Sequence, residues 1–121
     1  MRRESITSTF SNAIRGIMFS FRHERNFRIE LFMMLLTFVI AIIFPISAMQ
    51  WIVIAFCCGA VLSLELINTA LEKLADAVTV EFHPLIKQAK DVAAGAVLLS
   101  SVTSVIIGLI IFVPKIKLLL C

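Results

Sequence analysis

Two stretches of this chain carry no formal charge. Asp, Glu, Lys and Arg are absent from Leu31 through Leu64, and again from Val92 to Pro114. Runs beyond about 18 such residues read as membrane-spanning helices. As one helix the first stretch would be about 51 Å long, against a hydrocarbon core of about 30 Å, so it must fold back. The expected turn is Pro45-Ile46-Ser47-Ala48-Met49-Gln50, because proline disfavours helix in the residue before it and Ser and Gln tolerate an interface. The pattern predicts spans near residues 27–45, 51–78 and 91–114.

Ahead of the first span, Ile6, Phe10, Ala13, Ile14, Ile17 and Phe21 recur at helical intervals, with Ser8, Asn12, Arg15 and Arg22 on the other side. This predicts an amphipathic surface helix over about residues 5–23, lying on the inner leaflet or packed on protein. Val78 to Lys90 has the composition of a solvated loop. The third span opens with Val92-Ala93-Ala94-Gly95-Ala96, small side chains that allow another helix to approach closely. No internal repeat or low-complexity tract is visible. The expectation is one all-α membrane domain over residues 1–121: a surface helix and three transmembrane helices.

Composition agrees, since 60% of the residues are hydrophobic and the mean hydropathy is +1.03. Six arginines precede or open the first span (Arg2, Arg3, Arg15, Arg22, Arg25, Arg28), and Lys73, Lys87 and Lys90 surround the second connection. The positive-inside rule then places the N-terminus and that connection of a multi-pass membrane protein in the cytoplasm, with Lys115 and Lys117 as mild dissent. The net charge of +3 follows from this topology and is no argument for nucleic-acid binding. The first 20 or so residues lack the apolar core and cleavage site of a signal peptide, so the first span is expected to target the chain. Cys57, Cys58 and Cys121 have neither disulfide nor metal-ligand spacing and read as packing residues.

The second span carries the chemistry. With Glu65 set at zero on a helical wheel, Asn68 falls at about −60°, Thr69 at about +40°, Glu72 at about −20° and Asp76 at about +20°. All five share one stripe, while Leu66, Ile67, Ala70 and Leu74 take the rest of the circumference. A charge at the depth of Glu65 costs at least ~2.5 kcal/mol, so it normally faces a protein interior and marks a functional site. Three carboxylates on one stripe also repel one another, and the physical remedies are cationic partners or a divalent metal. In a purely structural version, Asn68 and Thr69 join helices and the carboxylates pair with Arg25, Arg28 or Lys73. That version explains Glu65 poorly, because Asn or Ser there would be cheaper to desolvate. Gly16, Gly59, Gly95 and Gly108 are the only glycines, too few and too scattered for a Walker A loop or GxGxxG, so any ATP site must be unconventional.

Glu24-Arg25-Asn26-Phe27-Arg28, the ELxNxxxE pattern from Glu65 to Glu72, Asp76, and Ala89-Lys90-Asp91-Val92-Ala93-Ala94-Gly95-Ala96-Val97-Leu98 together resemble the bacterial integral-membrane diacylglycerol kinase and undecaprenol kinase family. The resemblance covers nearly the whole chain. It implies a homotrimer with active sites shared between neighbours, and Mg²⁺- and ATP-dependent phosphorylation of a lipid hydroxyl at the inner membrane face. It further implies that Glu65 is the proton acceptor and that Glu24 and Glu72 bind metal. Asn12, Glu81, Phe82, His83, Lys90 and Asp91 fall where that family contacts ATP. Where some members carry an arginine near the N-terminus, this chain has Ser5, with Arg2 or Arg3 as candidate substitutes.

The residues read on their own agree in outline. Glu65 lies about 10 Å deeper than Glu72, near where a lipid hydroxyl would reside. Glu24 and Glu72 sit by the aqueous boundary, Lys90 supplies a counter-charge for phosphate, Asn68 is placed to orient the base, and Asp76 supports the stripe. Spacing leaves open whether Glu65 or Glu72 is the base. Undecaprenol is the leading acceptor, because the Glu-Arg-Asn start of the first span and the Pro-Lys end of the third resemble the Gram-positive branch; diacylglycerol is the alternative. Readings of another class are a small proton-coupled transporter relaying through Glu65 and a noncatalytic adaptor using the Ala/Gly-rich helix.

Overall fold

The computed structural model describes residues 4–121 and is entirely helical among them: α1 Ile6–His23, α2 Arg25–Ile43, α3 Ala48–Val78 and α4 Pro84–Leu120. The last three are long and apolar enough to cross a membrane. At about 1.5 Å per residue α2 is about 28 Å long and matches the hydrocarbon thickness, while α3 and α4 run to about 46 and 55 Å and must project beyond it.

Local chemistry fixes each boundary. Ser5 caps α1 by accepting the Ser8 N–H at 3.2 Å. Only Glu24, in an extended conformation (φ −107°, ψ 112°), separates α1 from α2, and its N–H closes α1 by donating to the Ser20 carbonyl at 2.8 Å. Arg28 finishes the corner. Its guanidinium donates to the Phe21 and Arg22 carbonyls at 3.0 and 3.1 Å, placing a cation on the last unsatisfied acceptors of α1.

The fold-back after α2 occurs where the proline requires it: Phe44, ahead of Pro45, is extended (ψ 134°). The turn is shorter than Pro45 to Gln50, because Ser47 and Gln50 form a capping box that starts α3 at Ala48. The loop expected over Val78 to Lys90 is likewise compressed to residues 79–83. His83 caps α4 by accepting the Leu85 N–H through Nδ1 at 3.2 Å, and Pro84 takes the first helical position, where its missing N–H leaves nothing unpaired. Helix α4 then continues through Pro114 to Leu120.

Helix α4 packs chiefly on α3, α2 packs on α3 from another side, and α1 touches both α2 and α3. A small apolar core of Ala41, Ile54, Ile111 and Phe112 lies toward the Pro45 turn, with Phe38 and Trp51 against it. Most other large apolar side chains, such as Phe56, Leu99 and Val105, face outward. In lipid this carries no penalty.

Candidate active site

The buried polar residues lie at the other end of the bundle from that core. Glu65, Asn68 and Thr69 on α3 are buried, at 3%, 7% and 5% exposure, while Ile67 and Leu74 on the opposite side of the helix are open. Glu72, two turns on, is half-buried and Asp76 is exposed. The stripe read from the helical period therefore turns inward at its deep end and reaches the surface at its shallow end.

Helix α2 brings further acid to this face. The Glu24 side chain makes no capping bond to α2, which leaves its carboxylate free to act across the junction. The charges of Glu72 and Glu24 both lie close enough to Glu65 to repel it, and Glu30 and Glu65 repel one another in the same way. Glu30 is the site residue that sequence reading missed. It stands just ahead of the charge-free run, about one and a half turns inside α2, where the desolvation argument applied to Glu65 also holds. Its Oε2 is buried with no hydrogen-bond partner, as is Oδ1 of Asn68. Buried polar atoms are normally paired, so these two unpaired acceptors mark a place where a donor or cation belongs.

Cations stand at the rim. Lys73 Nζ is 3.7 Å from Glu24 Oε1 and 5.6 Å from the centre of the Phe19 ring. Lys90 on α4 reaches Asp76 on α3 at 3.1 Å, which brings together two residues expected at the site. Asp91 instead pairs with Lys87 one turn away, at 2.7 Å on the exposed face of α4. Asn12 is exposed on α1 and donates to Glu4 Oε2 at 3.1 Å. Glu81, Phe82 and His83 form the exposed α3–α4 connection, where His83 is engaged as the α4 cap. Ser5, standing where some members of the resembled family carry an arginine, is engaged as the α1 cap. Arg2 and Arg3, its candidate substitutes, lie outside the described residues. Of the cations considered as structural partners for the carboxylates, Lys73 takes that role, whereas Arg28 is spent on the end of α1.

Among the described residues no three His, Cys, Asp or Glu side chains form a metal cage. Mg²⁺ binds one or two carboxylates together with substrate phosphates and water rather than an all-protein shell. Glu24 and Glu72 offer oxygen donors of the kind such an ion takes, and the charges of both act on Glu65. Beside Glu30 a groove of about 290 Å³ opens between α2, α3 and α4, walled by Met33, Met34, Cys58, Leu62 and Val105. Two of the hydroxyls along it are turned to their own helices, Thr37 to the Met33 carbonyl and Ser104 to the Ser100 carbonyl, each at 2.8 Å. The groove is thus greasy along its length and acidic at one end.

Comparison with known proteins gives this arrangement a context. The sequence profile of prokaryotic diacylglycerol kinase matches residues 11–112. The undecaprenol kinase of Bacillus subtilis strain 168 is 43% identical over 107 residues, covering 88% of this chain and 87% of that protein. A diacylglycerol kinase of Synechocystis is 39% identical over 88% of this chain and 61% of its own length, and that of Escherichia coli K12 is 30% identical over 76% of this chain and 75% of its own. This chain, with its buried acid on α3 and an apolar groove beside Glu30, belongs to the prokaryotic diacylglycerol kinase family of membrane lipid kinases.

Proposed function

We propose that this lipid kinase transfers the γ-phosphoryl group of ATP to the hydroxyl of undecaprenol at the cytoplasmic membrane face. The observation that carries the reading is the buried stripe of Glu65, Asn68 and Thr69, on which the charges of Glu24 and Glu72 act, together with Glu30, which repels Glu65 and lines an apolar groove. An acceptor of this class has one polar end and a long apolar tail. Its hydroxyl belongs beside Glu65 and its chain in the groove.

Burial favours Glu65 over Glu72 as the base, because a desolvated carboxylate is the better proton acceptor for an alcohol held at its depth. In the proposed step Glu65 takes the hydroxyl proton as the lipid oxygen bonds to the γ-phosphorus. The bond from that phosphorus to the β-γ bridging oxygen breaks and ADP leaves. Asn68, one turn from Glu65, orients the base or the hydroxyl. Glu24 and Glu72 would hold Mg²⁺, which would supply positive charge to offset that of the phosphates. Lys90, steadied by Asp76, opposes the polyphosphate, and Asn12, Glu81, Phe82, His83 and Asp91 complete the nucleotide site.

The same reading includes residues 1–121 as one domain, α1 as an amphipathic helix on the inner leaflet with the N-terminus cytoplasmic, and a homotrimer in which neighbours share sites. The exposed row Ile6, Phe10, Ile14 and Ile17 supports the placement of α1. Identity to the Bacillus subtilis undecaprenol kinase favours the polyprenol, and identity to the Synechocystis diacylglycerol kinase supports diacylglycerol as the second reading. The test is transfer of labelled phosphate from ATP by purified protein to undecaprenol and to diacylglycerol, with and without Mg²⁺. Faster metal-dependent labelling of undecaprenol is expected. Equal or greater turnover of diacylglycerol reverses the acceptor assignment, and labelling of neither lipid removes the kinase mechanism.

A further inference from the structure

Lys73 is the residue next to Glu72, yet it points to a different place. Adjacent helical residues diverge by about 100°, so the Lys73 stem leaves the acidic stripe and crosses to the α1–α2 junction. There one ammonium serves two neighbours: Glu24 Oε1 at 3.7 Å, and the face of Phe19 with its centroid at 5.6 Å. Phe19 is held in turn by His23, whose ring stacks on it at 4.4 Å and bonds the Phe19 carbonyl through Nδ1.

The pairing is loose by construction. A separation of 3.7 Å exceeds hydrogen-bond length, and the Lys73 side chain is 56% exposed, so solvent screens much of the attraction. The aromatic face offers the ammonium a second seat that does not involve Glu24. The carboxylate it touches is one of those that repel Glu65, so without Lys73 that charge would stand uncompensated beside the site.

We infer that Lys73 is a displaceable counter-ion: it holds the Glu24 carboxylate when no metal is bound and competes with the divalent cation for that group. The inference rests on the assignment of Glu24 and Glu72 as metal carboxylates. Lys73 is a positioning residue, acting through Glu24. A divalent ion brings twice its charge to the same oxygen, and the lysine then withdraws onto Phe19 without leaving the junction. The metal requirement of the enzyme is accordingly set by a residue that binds no metal.

The test is Mn²⁺ binding followed by electron paramagnetic resonance, on the full chain in lipid nanodiscs without nucleotide, for wild type, E24Q, K73Q, K73R and K87Q. Removing an exposed ion pair of typical strength predicts Mn²⁺ affinity about two- to five-fold tighter in K73Q. K73R, which keeps the charge, should stay near wild type. K87Q removes the same charge from the Asp91 pair on α4 and should change affinity less than K73Q does. In chelator K73Q should melt below wild type, and saturating Mn²⁺ should close the gap. Unchanged or weaker Mn²⁺ affinity in K73Q, or an equal gain in K87Q, overturns the Lys73 assignment and leaves the metal carboxylates standing. Wild-type affinity that E24Q does not reduce overturns both.

Discussion

Glu65 and Ile54 occupy the same helix about three turns apart, and each exposes 3% of its surface. Around Ile54 the neighbours are Ala41, Ile111 and Phe112, so burial there brings packing contacts. Around Glu65 they include the repelling charges of Glu24, Glu30 and Glu72. One end of the bundle is buried because that stabilises it, and the other although it does not. In a membrane this contrast is sharper than in water, because lipid already solvates an Ile side chain but gives a carboxylate nothing. Burial at the apolar end therefore favours the fold, whereas burial at the acidic end works against it and calls for another reason.

The strongest test of that division is Glu65→Gln. Loss of a general base typically lowers rate by about 10²–10⁴-fold. Phosphate transfer should fall into that range while the folded protein is retained, and its melting temperature should rise because a repelling charge is gone. A variant that melts earlier than wild type would make Glu65 a structural acid and dissolve the contrast between the two ends.

Glu30→Gln probes the same end with a smaller expected effect. Its Oε2 has no partner among the described residues, and its charge and that of Glu65 repel one another. A loss of transfer of about ten-fold is expected, within the span of one or two lost polar contacts to substrate, together with a rise in thermal stability. The measurement is a pair of lipid saturation curves, where the change should fall mainly on KM for the lipid. A change in kcat alone would place Glu30 among the groups acting on the transferred phosphoryl.

These residues differ in how far the sequence exposed them. The inward stripe of Glu65, Asn68 and Thr69 was legible because a single helical period sorts polar from apolar positions, whatever the helix packs on. The fold-back at Pro45 was legible from backbone sterics. Glu30 was not, because a charge near the mouth of an apolar run reads as its boundary; only the register of α2 against α3 turns it inward. The start of α4 at Pro84 was hidden because Pro, His and Gln suit a loop as well as a capped first turn. Nor does spacing reveal that Glu24 alone divides α1 from α2, or that Lys73 faces Glu24 and not Glu72. Those facts depend on a sharp corner, and hydrophobic patterns carry no information about corners.

The smallest effect on catalysis should come from the apolar end. Ile111 is buried in the core with Ala41, Ile54 and Phe112 and does not line the groove, so Ile111→Ala leaves a void without touching the acidic residues. In a soluble protein such a truncation costs about 2–5 kcal/mol, part of it transfer from water and part cavity. Lipid tails are as apolar as the core, so the transfer part largely vanishes and about 1–2 kcal/mol of lost packing remains. Unfolding of the reconstituted protein by increasing denaturing detergent should report that loss. Phosphate transfer per folded molecule should match wild type. If the rate fell as it does for Glu65→Gln, the packing at the Pro45 end would be setting the position of the base three turns away along α3, and the two ends would have to be treated as one mechanical unit.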